Sequence, residues 1–326
     1  MRRVLVTHVD SVMGRRLVKA LFHDPDVSLV FATGTGPTPS FLDAWSGKCF
    51  YQRLDLAKAR HVMSLFRSER FARAHLDSVI HLPFVPALSG ERIPGKVSLL
   101  VSETRRLLEE CQRDPGIERF VLLSSGFVYK PDPGNVNVVN EQQPLDFECE
   151  GEPRVRAWVD TDLVCQKELN DPALKTTILR AASILTESGE FLLSPPLEEG
   201  EPPLGYDPMF SVVSDRDVAR ALLLALHGDR PDAYNIAGHE IFPHSDLHGS
   251  RAPAGGLIPI PEVVRDVASW VERAIGLGYG RANERLCYGM VLDTQHAEEK
   301  LGFEPLYRIE VRRDGPARRI DTVRCR

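Results

Sequence analysis

The stretch VLVTHVDSVMGRRLVKAL, Val4–Leu21, stands at the start of the chain, and its reading decides the fold. Val4–Thr7 is an apolar run of strand length. A short polar turn follows, and from Gly14 to His23 the apolar residues recur at helical spacing. Strand, turn and amphipathic helix make the first βα unit of a parallel sheet. The turn itself is unusual, because Gly14 is its single glycine.

The same alternation continues outward from this unit. Strand-like runs fall at Ser28–Ala32, Ser78–Leu82, Phe120–Ser124 and Thr176–Leu179, with helical stretches at Leu56–Arg67, Val97–Gln112 and Trp158–Leu169. Strands alternating with helices predict an α/β fold, a Rossmann-like doubly wound parallel sheet with helices on both faces. Ligands of such sheets bind at the carboxyl ends of the strands, near the switch point. Residues 1–185 form this domain, to which 210–240 is expected to return. Residues 186–326 make mainly a smaller C-terminal lobe and a tail. Ser194–Pro208 (SPPLEEGEPPLGYDP) and His244–Gly256 read as loops, and Ile260–Leu277 as an amphipathic helix with Pro261 near its start. The tail from Arg312 carries six arginines and is expected to fray.

Composition narrows the function classes. The 326 residues carry a formal charge of −6, which gives no reason to expect nucleic acid or an anionic membrane as partner. Six scattered cysteines (Cys49, Cys111, Cys149, Cys165, Cys287, Cys325) show neither C-x-x-C nor zinc spacing, so no metal site is expected and the thiols read as reduced and structural. No signal-peptide pattern and no span-length apolar stretch is present in the sequence, so a cytoplasmic protein is expected.

Five stretches, in order, resemble the extended short-chain dehydrogenase/reductase family of NAD-dependent epimerase/dehydratase type. They are the opening βα unit, DSVIHL (77–82), FVLLSSGFVY (120–129), FSVVSDRDVARALLLAL with AYNIAG (210–238), and VLDTQHAEEKLGFEPLY (291–307). Together they span nearly the whole chain. The resemblance implies NAD(P) as cofactor, bound by a T-G-x-x-G-x-x-G turn. Here Thr7 is kept, His8 and Ser11 stand at the first two glycines, and Gly14 at the third. Glycine permits the backbone to approach the diphosphate, and a Cβ at His8 or Ser11 occupies that space. At the end of the second strand, Ala32, Thr33 and Gly34 offer no charge to a ribose. Asp55 fits either a contact to the adenine edge or a local cap, and His81 takes the family's strand-end histidine place, with a structural reading favoured.

The acid–base residues depart further. The family works with a serine and a Y-x-x-x-K pair. Ser125 matches the serine, but Trp158 stands at the tyrosine and Asp162 at the lysine, and none of the seven tyrosines is followed four residues later by lysine. Trp158 has no usable proton and Asp162 disfavours a tyrosinate, so both are predicted inactive. In LVSET, Leu100 replaces an asparagine and Glu103 a glycine of the family. Tyr129 is expected to pack its ring under the site, and Arg180 either to form an ion pair or to position what lies in the cleft.

Three functions follow as expectations. The main one is a catalytically degenerate protein acting by binding a ligand or an unknown protein partner, as sensor, regulator or assembly component. The alternatives are an active NAD(P)-dependent epimerase, dehydratase or reductase on a nucleotide-sugar-like substrate with a non-standard site, and a structural dimerisation partner. The last would pair as homodimer or heterodimer through helices 97–112 and 158–169, whose apolar stripes equally suit packing on the sheet.

Overall fold

The computed structural model describes residues 1–45, 47–83, 93–131, 138–149, 152–194, 202, 206–247, 282–314 and 317–325. The helix read at Ile260–Leu277 lies outside them.

The opening unit folds as strand β1 (Arg2–Val6) and helix α1 (Val12–His23). Ser11 starts the helix as its N-cap, its Oγ accepting from the Gly14 N–H at 3.0 Å. Met13, Leu17, Val18 and Leu21 turn the helix's apolar stripe onto the sheet. The chain continues through β2 (Val27–Gly34), β3 (Cys49–Arg53), α2 (Ala59–Phe66), α3 (Glu69–Ala74), β4 (Ser78–His81), α4 (Ile93–Arg113), β5 (Arg119–Ser125), α5 (Pro153–Gln166) and β6 (Lys175–Ala181). These six strands and β10 (Ala233–Ile236) form one seven-stranded sheet in the order β10-β6-β5-β4-β1-β2-β3. Every neighbouring pair in it is parallel. The order reverses between β1 and β4, so the switch point lies where Thr7, His8, His81 and Leu82 leave the sheet.

A second sheet has four strands, β7 (Ser183–Leu185), β8 (Phe191–Leu192), β9 (Met209–Ser214) and β11 (Ile241–Pro243), ordered β11-β9-β7-β8. Helix α6 (Asp215–His227) packs against α1 and returns the chain to β10. Short helices α7 (His244–Leu247) and α8 (Ala282–Tyr288) and a single π-helical turn at Ala297–Leu301 follow.

The expectation of a frayed tail is corrected. Tyr307–Asp314 (β12) and Ala317–Arg324 (β13) pair antiparallel as a hairpin. Ile309 is 3% exposed within the main core cluster, and Ile320 packs against that cluster, which holds the hairpin down despite its arginines. The sheet's two faces bury separate apolar clusters, one including Val4, Val6, Leu17 and Trp158, the other Leu5, Phe31, Leu107 and Phe120. Alternating side chains of one strand feed both.

Candidate functional site

Four residues of the opening turn, Thr7, His8, Asp10 and Gly14, each do something different. Thr7 accepts a hydrogen bond from the Leu82 N–H (3.0 Å) and bonds His81 Nδ1 (2.9 Å). His81 Nε2 lies 2.9 Å from Thr104 Oγ1, which donates to the Leu100 carbonyl at 3.0 Å. The two hydroxyls therefore assign His81 as a neutral ring with its proton on Nε2. Burial, helped by the nearby His8 charge, holds its pKa well below the usual histidine value.

His8 adopts φ 51°, a left-handed backbone that glycine adopts freely and that here carries an imidazole. That imidazole reaches Glu103 of α4, with Nε2 and Oε1 2.5 Å apart, and Glu103 is 4% exposed. Burial alone would lower the His8 pKa, but the Glu103 carboxylate, by charge and hydrogen bond, outweighs it and raises it. Asp10 turns the other way and accepts from Thr35 N (2.9 Å), Thr35 Oγ1 (3.1 Å) and Gly36 N (3.1 Å), across the end of β2. Burial pushes its pKa up, yet the bonds from Gly36 and Thr35 hold it below the usual range. Gly14 is a packing glycine, since a Cβ there would lie 2.5 Å from Val9 Cα and closer still to the His8 carbonyl oxygen. Asp55 makes local bonds, accepting from the Ala57 N–H at 3.2 Å and pairing with Lys58 at 3.2 Å.

The acid–base positions form a second cluster at the ends of β5 and β6. Asp162 of α5 and Arg180 of β6 are both fully buried and joined by two bonds, Nη2 to Oδ1 at 2.7 Å and Nε to Oδ2 at 3.0 Å. Ser124 donates to the same Oδ2 at 2.7 Å. Arg180 Nη1 donates to the Tyr129 hydroxyl (2.9 Å), which donates to Asn235 Oδ1 (2.7 Å). Burial drives the Tyr129 pKa far up against the opposing charge of Arg180, so this phenol stays protonated. Ser125 accepts from the Phe127 N–H at 3.2 Å and points its hydroxyl at the Leu193 carbonyl, 3.4 Å away. Trp158 is 2% exposed, with the Arg154 guanidinium 6.0 Å above its ring and no partner for Nε1 among the described residues.

Sequence reading missed Leu193, Ser124 and the use of Asp10, and took Glu103 only as a departure from a pattern. Nothing in the sequence marks Leu193, which has φ 56° and lies over Ser125. A bulky residue in the left-handed region is strained. Leu192 and Leu193 close a cavity of only about 10 Å³ with Ser11, Met13, Leu82 and Ile184. That is room for about one water, whereas pockets for cofactor-sized ligands hold roughly 300–1,000 Å³. With the Glu103 carboxylate also held against His8, the described residues do not fit a dinucleotide diphosphate laid across the turn. A groove of about 490 Å³ does exist on the outer side of α1, lined by Val12, Arg15, Lys19, Phe41, Thr186 and Glu187.

No family model matches the sequence. An uncharacterized protein of Mycobacterium tuberculosis is 23% identical over 318 residues, covering 93% of this chain and 80% of the relative. Among solved structures, MoeE5 in complex with UDP-glucuronic acid and NAD superposes with a TM-score of 0.62 at 22% identity, over 93% of each chain. The UDP-glucuronic acid 4-epimerase from Bacillus cereus, in complex with UDP-glucuronic acid and NAD, gives 0.64 at 18% identity over 94% of each. At these identities the likeness establishes the fold alone, the Rossmann-like sheet with a smaller second sheet. Among the described residues no helix is long and apolar enough to cross a membrane.

Proposed function

We propose that this chain is a divergent relative of the NAD-dependent epimerases and dehydratases that keeps their scaffold for binding and has given up their tyrosine–lysine chemistry. The observation that carries this reading is the Asp162–Arg180 pair. Where the family needs a lysine to stabilise a tyrosinate, this chain has a carboxylate already neutralised inside the protein. Trp158 supplies no proton to exchange, and the Tyr129 hydroxyl is committed to Arg180 and Asn235. The groove beside Arg15 and Lys19 has the volume for a small ligand, and its wall carries both those cations and the Glu187 and Asp215 carboxylates that pair with Arg16. Helices α4 and α5 lie against each other with Leu99 exposed, which supports a homodimer or heterodimer through that face. A single 36.4 kDa species in sedimentation at high concentration would remove the homodimer.

A second reading, an active NAD-dependent epimerase or dehydratase on a nucleotide sugar, is favoured by the solved neighbours, which are described with NAD and UDP-glucuronic acid bound. It requires His8 and Glu103 to part and Leu193 to withdraw. Calorimetric titration with NAD⁺, NADH, NADP⁺ and NADPH, after a check for co-purified nucleotide, separates the two. We expect no saturable binding, and no turnover of UDP-glucuronic acid with added NAD⁺. Measurable turnover overturns the binding reading. Replacing His8 and Ser11 together by glycine is expected to raise dinucleotide affinity, and no gain would sink the steric argument.

A further inference from the structure

Three elements converge on one point at the switch point of the sheet. His8 comes from the turn after β1, His81 from the end of β4 and Glu103 from α4, and one ligand-capable atom of each lies within 4.8 Å of the others. Two imidazoles and one carboxylate are a donor set that borderline divalent ions take, zinc foremost among them. At 2.5 Å, His8 Nε2 and Glu103 Oε1 share a proton; an ion displaces that proton and sets the two atoms about 3 Å apart, which needs only a small side-chain shift.

Two further features lack an explanation in packing. His8 holds a left-handed backbone that strains any residue with a Cβ. Glu103 is a buried carboxylate whose one hydrogen bond among the described residues goes to that imidazole. We propose that His8, His81 and Glu103 bind one divalent transition-metal ion, zinc by their chemistry, with a fourth position left open. This site is independent of whether the chain is a catalyst.

Both nitrogens of His81 are engaged, one with Thr7 and one with Thr104. Coordination through either gives up one neutral hydrogen bond, a small loss beside three metal–ligand bonds. The hydroxyl on the other nitrogen keeps the ring oriented, as hydrogen bonds to ligating histidines do in established zinc sites. His8 is the partly exposed member of the three, so the ion enters from its side.

The test uses the untagged full chain, stripped with EDTA and dialysed, then titrated with zinc near neutral pH by calorimetry. Two variants accompany it, His8→Gly and Glu103→Gln. Glycine suits the left-handed turn, glutamine matches glutamate in shape, and circular dichroism checks both folds. We expect one zinc per wild-type chain, with affinity falling about 100-fold or more in each variant, beyond the 10–100-fold typical of lost supporting partners. Cobalt loaded in place of zinc should show visible d–d bands that vanish in both variants. Absence of saturable binding overturns the proposal. So does binding unchanged in either variant, which would put the ion elsewhere, for instance on the half-buried thiols of Cys287 and Cys325.

Discussion

Gly14 and Asp162 show what one residue can and cannot announce in a sequence. A methyl group at Gly14 has no room, because the blocking atoms are backbone atoms of His8 and Val9. Gly14→Ala should therefore cost about 2–3 kcal/mol through forced displacement of the turn, read as a lower midpoint in urea. An unchanged midpoint would mean that the turn yields freely. The surviving glycine was legible because only packing explains a lone glycine at that helix start. Asp162 was legible only as a loss. Its partner Arg180 lies 18 residues away on another element, and in sequence each reads as an ordinary charge. Replacing one member leaves the other charged and buried, so Asp162→Ala should destabilise by about 3–5 kcal/mol. The double change Asp162→Leu with Arg180→Met should recover most of that loss, since apolar replacement of a buried pair is often neutral or better. A double variant as unstable as the single one would show that Arg180 serves Tyr129 more than Asp162.

At the scale of elements, the parallel strands were readable wherever apolar runs were continuous, because strands buried on both faces carry no polar alternation. β3 escaped notice for the complementary reason. Its sequence CFYQR lies at the sheet edge, with only Cys49 buried. The C-terminal hairpin was hidden by its arginines, although alternate residues Ile309, Val311 and their partners Thr322 and Ile320 share one face. Its base is further tied by the Leu306 and Tyr307 N–H groups, which donate to Asp217 at 2.8 and 3.1 Å. Ile309→Ala removes the most buried anchor, at a cost of about 2–4 kcal/mol. Because that anchor belongs to the hairpin, trypsin should cut within 308–326 faster in the variant, while the rest of the chain resists digestion as before. Equal cleavage rates would assign the hairpin's hold to Asp217 instead.

For the molecule as a whole, the late part of the chain is tied to the site through one buried side chain. Arg285 of α8 donates to Asp146 Oδ2 (2.5 Å), Glu152 Oε2 (2.8 Å) and the Tyr129 carbonyl (3.1 Å). It therefore clamps the loop ahead of α5 to the strand end that presents Ser125. Backbone bonds between Val139 and the 291–293 segment run alongside, at 2.8 and 2.9 Å. No local pattern foretells this tie, since its members are more than 130 residues apart. Arg285→Met keeps the volume but takes the guanidinium away from two buried carboxylates, and should cost about 3–5 kcal/mol. Arg285→Lys returns the charge without the planar fork, so it can serve one carboxylate well but not both together with the carbonyl. Urea unfolding should accordingly rank the three proteins arginine, lysine, methionine, with lysine nearer methionine if geometry dominates and nearer arginine if charge does. A methionine variant as stable as the parent would mean that backbone pairing at Val139 suffices, and that the late segment holds its place without an ionic clamp.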